Sequence, residues 1–527
     1  MLEANECLGG RLQSVKVNDG NIYDLGGQWI LPQHKALMQI VDKLGLRTVL
    51  PGNANGKALN RVIQVGRKGR VRTISTTLDD PDPVVLPKRI GKHTGIRAWL
   101  AHLELTYIVW KLDQLAYYIQ DLTDPYHSES LSDELAHEMD SITVDAYLKQ
   151  HTRFKSVQDV IEIHLRLLTG ADLNRITVLW LLSYAKWQGA KSFYDFLHNV
   201  PPKNDGEMEN LPPLCIKNGA QQICQQLAEQ CIGSENIYLN QPVSNVTYLS
   251  DGTNGKNVYV TTKNGYTYRC FRAIMALPPN ILREVDFTPS LDSTKKYILA
   301  SMMMGSTIKF ILNYRQSFWS EDDFSGDFLS FTSPVTWLTD TTYVNGTPTL
   351  VGFLAGHQAV EASKLCLEDL KSAILDKLST IFGSKALEPT SFEVKNWMDE
   401  KFIGGGTVCY PASGAMINYA SIRTTHGPIH FAGTETAIKY MGTMAGAVQA
   451  GQRAALEVLD NLRPQSLTAQ DYLILKESQS KFYTGNRKKA ADFSVYRWTI
   501  IFPSIAVIAA WTAIKLRNTY GHLVVPM

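Results

Sequence analysis

The sequence predicts a mixed α/β protein built from two domains, and three stretches indicate this fold class. Residues 429–459 predict a short apolar strand, a turn and a helix with small and apolar residues at helical spacing. Residues 238–276 predict the strands of a small sheet, whereas residues 94–188 predict a mostly helical region. The 527 residues, of which 44% are hydrophobic and 19% charged, leave room for two or three domains with ordinary cores.

Charge and cysteine content exclude several classes of function. The formal net charge is +2, so the sequence carries no basic footprint for nucleic acid. The seven cysteines form no Cys-x-x-Cys pair and no metal-ligand cluster with histidine, so no metal site is predicted. An odd cysteine count in a chain of this length indicates free thiols in a reducing compartment, and the polar first residues predict no secretory signal peptide.

The strand-turn-helix stretch is the most informative part of the sequence. A strand at Ile429–Phe431 leads through a turn at Gly433 to a helix predicted at about residues 442–459. Gly446 and Gly451 lower helix propensity, which predicts that a large group packs close to the backbone there. The free N–H groups and partial positive charge at a helix N-terminus favour an anionic group.

This stretch closely resembles the C-terminal FAD-binding segment of the flavin-containing amine oxidases, above all the monoamine oxidases. The resemblance implies the two-domain fold of FAD-dependent amine oxidases, with FAD as the cofactor. It also implies that four residues around the turn bind the cofactor: Gly433, Thr434, Glu435 and Met444. The alternative is a small-residue helix on a parallel sheet of any α/β protein, and the length of the contiguous match favours the family.

A second part of the resemblance lies near the N-terminus, where Leu-Glu-Ala is followed by two glycine-rich turns. By resemblance, Glu3 binds the ribose hydroxyls of the adenosine. The residues implied at the turns are Gly10 and Arg11 beside the pyrophosphate, and Gly26, Gly27 and Gln28 beside the flavin. A carboxylate accepts two ribose hydrogen bonds, and glycine lets backbone approach phosphate, although Gly-Gly-Arg alone is also a common surface turn.

The sequence departs from the dinucleotide-binding pattern in one respect. The acidic residue of that fold follows a Gly-x-Gly-x-x-Gly loop by about 20 residues, whereas Glu3 stands almost at the start here. We therefore expect an N-terminally truncated chain with an incomplete Rossmann-like FAD domain, which lacks its first strand, phosphate loop and first helix. If the chain is genuinely this short, the pyrophosphate lacks that helix N-terminus, and we expect the affinity for FAD to collapse.

The element pattern and the resemblance together predict the domain organisation, with Val243 on the adenine side of the cofactor. The expected segments are 1–50, 210–290 and 396–462 for the FAD-binding domain, 51–209 and 291–395 for the helical and sheet-containing substrate domain, and 463–497 for a C-terminal extension. The cofactor domain is thus expected to be assembled from three separate parts of the chain.

Two residues are the candidates for catalysis, and both rest on the resemblance. Lys309 lies in the predicted strand Gly-Ser-Thr-Ile-Lys-Phe, where the family places a lysine that holds a water against flavin N5. Burial beside Ile308 and Phe310 would lower the pKa of this lysine, although the alternation of a strand equally allows a solvent-facing side chain. Trp397 matches the family's tryptophan that packs near the flavin before a Gly-Gly turn.

Two departures from the monoamine oxidases concern flavin attachment and the substrate. These enzymes follow the Gly-Gly turn with a cysteine bonded to the flavin and then a tyrosine, but the positions hold Gly406 and Thr407 here. Cys409 is displaced along the chain, so FAD is expected to bind noncovalently, with Gly406 beside it. Thr443 replaces the second tyrosine of the aromatic cage that aligns the amine, and threonine lacks the ring that a cage needs.

Substrate contacts are expected from Thr407, Thr443 and the helix predicted at residues 176–188. Tyr184 lies where the family builds the wall of its substrate cavity, and Gln188 where some relatives place a cavity cysteine. A tryptophan and a tyrosine at helical spacing are as typical of a core as of a cavity wall, so both interpretations stay open.

Residues 498–514 contain no charged residue, and they predict a C-terminal transmembrane helix about 26 Å long, at the short end for a bilayer. Trp498 and Trp511 suit the two interfaces, and basic residues flank both ends. A buried helix of a soluble core is the alternative. A short, basic-flanked anchor predicts a tail-anchored protein of the mitochondrial outer membrane, with its catalytic domain facing the cytosol.

The sequence thus predicts a membrane-anchored, FAD-dependent oxidase that converts primary monoamines to aldehyde, ammonia and hydrogen peroxide. The expected partners are a small amine, oxygen, the membrane and a second copy of the chain in a homodimer. Two rival hypotheses stay open, namely a polyamine-type oxidase and a non-catalytic, membrane-anchored relative that has lost flavin binding.

Overall fold

The structure is a computed structural model, and the fold follows from the residues that it describes. These are residues 1–17, 20–51, 61–65, 69, 71–75, 96–197, 213–249, 257–322, 324–343 and 346–478. The predicted anchor at residues 498–514 lies outside them, as does most of the predicted C-terminal extension. Within the described residues, no helix combines the length and the apolar character that a membrane crossing needs.

Helices and strands alternate along the described chain, which confirms the mixed α/β class. The α-helices are α1 (Lys35–Lys43), α2 (Ile96–Tyr117), α3 (Asp133–Ser141), α4 (Val144–His151), α5 (Lys155–Thr169), α6 (Val178–Trp187), α7 (Phe193–Leu197), α8 (Gln221–Cys231), α9 (Pro279–Leu282), α10 (Ser293–Ser301), α11 (His357–Ala362), α12 (Leu367–Phe382), α13 (Met444–Leu462) and α14 (Ala469–Ser478). The strands are β1 (Ser14–Lys16), β2 (Ile22–Asp24), β3 (Trp29–Ile30), β4 (Thr48–Val49), β5 (Arg61–Val65), β6 (Val71–Ser75), β7 (Leu214–Ile216), β8 (Val243–Tyr248), β9 (Val258–Thr262), β10 (Thr267–Cys270), β11 (Ala273–Met275), β12 (Asp286–Thr288), β13 (Met302–Met304), β14 (Thr307–Asn313), β15 (Phe324–Ser330), β16 (Trp337–Asp340), β17 (Thr349–Ala355), β18 (Ser391–Asn396), β19 (Cys409–Pro411) and β20 (Ile429–Phe431).

A seven-stranded sheet in the order β18-β14-β17-β16-β15-β5-β6 is the largest sheet of the described chain. Its strand β14 is buried along its whole length. Successive side chains of a strand point to opposite faces, so Ile308 and Phe310 pack into a core that includes α12, whereas Ile311 packs against Val17, Tyr23 and other residues near β2. Lys309 shares the face of Ile311 and therefore points toward the N-terminal segment.

Smaller sheets place the N-terminal segment and the end of the chain beside this large sheet. The four-stranded sheet has the order β10-β9-β8-β12, the three-stranded sheet has the order β3-β7-β4, and β1 pairs with β2. Strand β20 pairs in parallel with β11. The carboxyl end of β20 carries the turn that leads into α13, so this pairing fixes where that helix begins.

The helices α2 to α7 enclose the largest apolar core among the described residues. Leu105, Ile108 and Leu112 of α2 are buried against α5 and α6 in this core. Helix α6 is buried on nearly every side, since nine of its ten residues, all but Lys186, are inaccessible to solvent. The mostly helical region predicted from residue 94 onward is therefore confirmed.

The strand, turn and helix predicted at residues 429–459 are confirmed as β20 and α13. Thr443 is the N-cap of α13, and its hydroxyl accepts a hydrogen bond from the N–H of Gly446 at 3.2 Å. A Cβ on Gly446 would lie 2.3 Å from the carbonyl oxygen of Tyr440, so the chain itself requires glycine there. Gly451 is exposed, and a Cβ there would meet no described atom within 4 Å, so the close packing expected around it is not found.

One predicted strand is wrong, because residues 266–276 form two strands in different sheets. β10 pairs with β9 in the small sheet, whereas β11 leaves that sheet and pairs with β20. The pairing of β11 with a strand so distant in sequence cannot be read from local alternation. Leu2, predicted to end a strand, makes one isolated bridge with Tyr238.

We predict that Gly352→Ala destabilises the fold by about 1–3 kcal/mol, the usual cost of overpacking a core. A Cβ at Gly352 of β17 would lie 2.0 Å from Cζ of Phe310, whose ring is fully buried. The matched control is Gly451→Ala on the exposed side of α13, which is expected to stabilise by about 0.5–1 kcal/mol. Urea unfolding of both variants measures the difference, and equal stabilities would refute the packing argument.

Candidate active site

Lys309 lies at the centre of the candidate site, where its side chain leaves β14 toward the N-terminal segment. It is 1% exposed, so the solvent-facing alternative for this residue is wrong. Its Nζ donates hydrogen bonds to the carbonyl oxygen of Gly26 at 3.0 Å and to Oε1 of Gln28 at 2.8 Å. The rings of Trp29 and Phe353 flank the ammonium, each with its centroid 5.4 Å away.

The two glycine-rich turns of the N-terminal segment are hydrogen-bonded to each other. The N–H of Gly27 donates to the carbonyl oxygen of Arg11 at 3.1 Å, and the N–H of Gly26 donates to that of Gln13 at 3.2 Å. A Cβ on Gly26 would lie 2.3 Å from the Arg11 oxygen, so only glycine permits this approach. At Gly10 the φ angle is +58° and a Cβ would meet nothing within 4 Å, so the first turn leaves open space beside it.

Asp24, which ends β2 directly before the second turn, is a site residue that sequence reasoning missed. Its Oδ1 accepts hydrogen bonds from the hydroxyl of Ser14 at 2.6 Å and from the N–H of Ala220 at 2.8 Å. Burial raises the pKa of this carboxyl, and the positive charge of Lys309 opposes the rise. The sequence signal was a carboxylate immediately before a Gly-Gly turn, but its partners are visible only in the fold.

The charge state of Lys309 follows from this environment. Burial lowers the pKa of Lys309 to about 8, while Asp24 and Cys215 act in the opposite direction. Burial raises the pKa of the Cys215 thiol to about 12, so Cys215 is neutral near pH 7, and Asp24 is the acidic group with the larger effect on Lys309. Lys309 therefore keeps its proton at neutral pH in spite of its burial.

A buried ion pair joins the first turn to the C-terminal part of the site. The guanidinium of Arg11 donates to both carboxylate oxygens of Glu435, at 2.7 and 2.9 Å, and also to the carbonyl oxygen of Thr407 at 2.8 Å. The Glu435 side chain is 1% exposed and that of Arg11 is 23% exposed. A two-point contact of this kind fixes orientation as well as distance, so Arg11 holds three segments together.

Trp397 and Gly406 line the side of the site next to the second turn. The indole N–H of Trp397 donates to the carbonyl oxygen of Leu25 at 3.0 Å. A Cβ on Gly406 would lie 3.8 Å from Cβ of Trp397, an ordinary contact distance. The carbonyl oxygen of Gly406 accepts a hydrogen bond from the hydroxyl of Thr307 at 2.8 Å, which ties this loop to β14.

The N-terminus of α13 faces the same turn from the opposite side. Gly433 adopts a φ of +98°, which directs the chain from β20 into the turn. The hydroxyl of Thr434 donates to the carbonyl oxygen of Thr443 at 3.1 Å and so closes the loop before the helix. Cγ of Met444, the first residue of α13, would lie 4.0 Å from a Cβ on Gly27. The helix start is therefore adjacent to the second glycine turn.

The polar side chains predicted to contact the substrate are bonded to the backbone. The hydroxyl of Thr407 donates to the carbonyl oxygen of Leu168. The hydroxyl of Thr443 caps α13. The amide of Gln188 donates to the carbonyl oxygen of Met441 at 2.6 Å. These groups therefore shape the loops of the site in this structure.

Tyr184 of α6 belongs to the helical core and also reaches the loop before α13. Its ring is 4% exposed and stacks on Trp180, with the centroids 5.0 Å apart. Trp180 in turn packs edge-on against Tyr410 at 6.0 Å. A Cβ on Gly442 would lie 3.5 Å from the Tyr184 hydroxyl oxygen. Both interpretations of this helix thus retain a structural basis.

Glu3 and Val243 lie at the other end of the N-terminal segment, beside the chain that enters β8. Oε1 of Glu3 accepts a hydrogen bond from the N–H of Asn5 at 2.9 Å, and burial raises the pKa of this carboxyl. The N–H of Gln241 donates to the carbonyl oxygen of Glu3 at 2.8 Å. Oε1 of Gln241 is buried and has no hydrogen-bond partner among the described residues. Two neighbouring acceptors of this kind suit a group that presents hydroxyl donors, such as a ribose.

Glycine-rich turns, a helix N-terminus and a buried lysine thus meet in one place, an arrangement suited to a flavin-dependent oxidoreductase. The chain belongs to the family of flavin-containing amine oxidoreductases, whose model matches residues 1–459. The protein is therefore a flavin-containing amine oxidase, and FAD is the cofactor of its family.

Individual relatives agree with this assignment. The chain is 26% identical over 471 residues to a probable flavin-containing monoamine oxidase A of Dictyostelium discoideum, which covers 88% of this chain and 92% of the relative. It is 27% identical over 486 residues to the flavin-containing amine oxidase A of Equus caballus, which covers 91% and 83%. The solved structure of cyclohexylamine oxidase from Brevibacterium oxydans shares the fold, with a TM-score of 0.72, 24% identity and coverage of 88% and 93%. A putrescine oxidase structure likewise shares the fold, with a TM-score of 0.71, 24% identity and coverage of 87% and 92%.

We predict that Arg11→Met lowers the free energy of unfolding by about 3 kcal/mol, since it leaves the buried Glu435 carboxylate without its partner. The control is Lys385→Met, which breaks an ion pair with Glu321 whose side chains are 52% and 54% exposed. An exposed pair of this kind contributes less than about 1 kcal/mol. Urea unfolding compares the two variants, and a loss in Arg11→Met no larger than in the control would contradict the structural role of Arg11.

Proposed function

We propose that the chain oxidises primary monoamines with FAD and oxygen. In the overall reaction, amine, oxygen and water give aldehyde, ammonia and hydrogen peroxide. One observation carries the proposal: Lys309 is buried, keeps its proton at neutral pH and points at the second glycine turn. A buried cation in this position needs a functional or structural reason, because its desolvation is costly.

We propose that FAD is held by the three segments 1–50, 210–290 and 396–462. At the adenosine end, Glu3 and Gln241 supply acceptors for ribose hydroxyls, and Val243 adjoins the adenine. Gly10 leaves room for the pyrophosphate, and the N-terminus of α13, beside the second turn, favours negative charge on the flavin. The remaining proposed contacts are Arg11, Gly26, Gly27, Gln28, Trp397, Gly406, Gly433, Thr434, Glu435 and Met444.

The attachment of FAD is proposed to be noncovalent. Gly406 and Thr407 carry no thiol. The thiol of Cys409 is buried, and it lies 3.2 Å from Oδ1 of Asn280 and 3.7 Å from the sulfur of Met304. Burial also raises the pKa of Cys409, which disfavours the reactive thiolate. Both the position and the charge state of this sulfur therefore argue against a bond to the flavin.

When bound, FAD supplies the two-electron oxidation of the amine and the subsequent transfer of electrons to oxygen. The residues of the chain orient the reactants around it. An ammonium has three N–H groups, and Lys309 uses two of them on Gly26 and Gln28. We propose that the third N–H of Lys309 binds a water or oxygen at the cofactor, and that Trp397 supports the opposite wall.

We propose that the amine approaches between α6 and the loop before α13. The hydroxyls of Thr407 and Thr443 are used by the backbone and offer no aromatic face to the amine. Tyr184 and Gln188 remain the proposed wall residues, and the ring of Tyr410 lies next to that wall through Trp180. The substrate pocket is therefore expected to accept amines that do not depend on a two-tyrosine cage.

A polyamine substrate is less favoured, because the carboxylates that line a cavity beside α5 are already paired. This cavity has a volume of about 380 Å³ and is lined by Asp145, Glu162 and Asp172 among others. Asp145 pairs with Lys149 at 2.7 Å, and Arg166 pairs with both of the other two carboxylates. Paired carboxylates leave little net negative charge for a second ammonium of the substrate.

We predict that the purified full-length protein shows the visible absorption bands of oxidised flavin, and that acid precipitation releases the flavin into the supernatant. It should oxidise tyramine faster than spermine, and Lys309→Met should lower turnover with oxygen by about 10²-fold or more, the usual range for a positioned acid or base. Hydrogen peroxide release measures the rates, with Lys385→Met in an exposed ion pair as control. A protein without flavin bands would support the non-catalytic rival instead.

We also propose that residues 498–514 anchor the protein in the mitochondrial outer membrane, with the described residues on the cytosolic side. The proposal rests on the sequence: a charge-free stretch with Trp498 and Trp511 near its ends and basic flanks. Arg497, Lys515 and Arg517 are the flanking charges.

We predict that alkaline carbonate leaves the full-length protein in the membrane pellet of expressing cells. Ile505→Arg should move most of the protein to the supernatant, because an arginine at the centre of a membrane helix costs about 2.5–3.5 kcal/mol. Asn518→Arg adds the same charge outside the apolar stretch and should have no effect. Equal extraction of the two variants would contradict the anchor.

A further inference from the structure

A polar network surrounds Lys309, and its members lie on the N-terminal segment rather than on β14. Gln28 contributes the acceptor closest to Nζ, at 2.8 Å. Asp24, four residues earlier, is 4% exposed and contributes the negative charge that acts on Lys309. Neither role follows from the resemblance, which places Gln28 beside the flavin and assigns nothing to Asp24.

We propose that Asp24 and Gln28 are positioning residues, which together hold the Lys309 ammonium in place and aim its remaining N–H at the cofactor. Asp24 supplies the charge, and Gln28 supplies the direction. This inference rests on the proposed function for its consequence in catalysis, whereas the network itself is a property of the folded chain.

Gln28 is suited to direct the lysine because its own side chain is fixed. It is 5% exposed, and Nζ reaches its Oε1 and the carbonyl oxygen of Gly26 at once. Gly26 and Gln28 lie on one turn, so the two acceptors move together. With two N–H groups engaged by this turn, the direction of the third is determined by the tetrahedral geometry of the ammonium.

Asp24 is suited to supply the charge because its carboxylate is held by other groups. Ser14 and the N–H of Ala220 both donate to Oδ1. The side chain of Gln221, next to Ala220 at the start of α8, donates to the carbonyl oxygen of Leu8 at 2.7 Å. Asp24 is therefore fixed by Ser14 of β1 and by the residue before α8, and it lies two residues before Gly26, whose carbonyl oxygen accepts a hydrogen bond from Lys309.

The groups that face Lys309 from each neighbouring element are few. Asp24 comes from β2 and Cys215 from β7, while Trp29 of β3 and Phe353 of β17 contribute rings. Tyr343, behind Cys215, has its pKa raised by burial and is neutral at physiological pH. Among these groups, Asp24 is the one carboxyl, and its electrostatic effect raises the pKa of Lys309, so its removal should act directly on the protonation of Lys309.

The pH dependence of stability follows from the lowered pKa of Lys309. Its folded value is about 8, whereas an unfolded lysine titrates near 10.4. Between these values the unfolded chain binds a proton that the folded protein has released, so this lysine makes the protein more stable as the pH rises through the window. Below about pH 8 both states are protonated, and the contribution of Lys309 is constant and unfavourable.

The first arm of the test measures thermal unfolding of the full-length protein from pH 6 to pH 10.5. The wild type is compared with Lys309→Met, and Asp24→Asn is compared with the double variant Asp24→Asn/Lys309→Met. We expect the unfolding temperature of the wild type, relative to Lys309→Met, to start rising near pH 8. The unfolding temperature of Asp24→Asn, relative to the double variant, should start rising about one pH unit lower, which is the low end of the pKa shift caused by loss of a nearby opposite charge. Coincident curves would overturn the role of Asp24.

Three further variants separate charge from direction. Gln28→Glu adds a negative charge at the acceptor, so the rise in unfolding temperature with pH should begin above pH 8. This variant keeps the test decisive if Asp24→Asn fails to fold. Gln28→Met removes the acceptor but not the charge. Ser14→Ala removes one hydrogen bond that lowers the pKa of Asp24, so it should shift the curve in the same direction as Asp24→Asn and by no more. A shift in Ser14→Ala larger than in Asp24→Asn would assign the effect to packing.

The second arm follows reoxidation of the reduced enzyme by oxygen as a function of pH. The rate should fall as Lys309 loses its proton, and the midpoint of this fall should lie near pH 8 in the wild type. In Asp24→Asn the midpoint should lie about one pH unit lower. Gln28→Met should lower the plateau at least threefold without moving the midpoint, and the KM for amine should stay unchanged in both. A raised KM with an unchanged reoxidation rate would contradict the proposal.

The two arms distinguish failure of this inference from failure of the proposed function. The unfolding arm needs neither flavin nor turnover, so it decides the coupling of Asp24 to Lys309 even in a protein without activity. A positive unfolding arm with no amine oxidation would leave the network intact and remove its catalytic consequence. Unfolding profiles that do not depend on Asp24 would refute the inference even in an active enzyme.

Discussion

The burial of one ammonium group sets the arrangement of the whole site. Lys309 leaves a strand that is buried on both faces, so its charge must find acceptors inside the protein. They come from the turn that holds Gly26 and Gln28, which belongs to a different sheet region. If the large sheet and the N-terminal segment moved relative to each other, the buried ammonium would therefore lose its hydrogen-bond acceptors. The precision of this contact also places Trp397, whose indole binds the same turn at Leu25.

The remaining contacts extend this constraint to the end of the chain. Arg11 lies in the first turn, which is hydrogen-bonded to the second. The guanidinium of Arg11 donates hydrogen bonds to the Glu435 carboxylate and to the carbonyl oxygen of Thr407. Close backbone approach makes this possible, since Gly26 sits where a Cβ would overlap the Arg11 carbonyl oxygen. Three stretches far apart in sequence thus form one rigid frame. A cofactor held by such a frame meets donors and acceptors whose positions are fixed before it binds.

Local periodicity was sufficient to predict the helix from Met444 and the strand before it, because both patterns are complete within about thirty residues. The long match to the family also selected Lys309, Arg11 and Glu435 as candidate site residues. Prediction failed where pairing is non-local: β11 joins β20 rather than the small sheet. Asp24 was missed for the same reason, since its partner Ala220 lies 196 residues away. A carboxylate before a Gly-Gly turn has no visible role until the fold brings Ser14 and Ala220 to it.

The two threonines that replace the aromatic cage show how a sequence departure becomes a structural one. Thr443 is an N-cap, and a side-chain cap at this position holds the first turn of α13. Thr407 is bonded to Leu168 of α5. Each hydroxyl satisfies backbone groups that a tyrosine ring at the same position would have left to other partners. In the proposed function, the alignment of an amine would pass to the walls of the site, where the rings of Trp180 and Tyr184 stack with their centroids 5.0 Å apart. A stacked wall without a cage would select by shape more than by contact with the amino group itself.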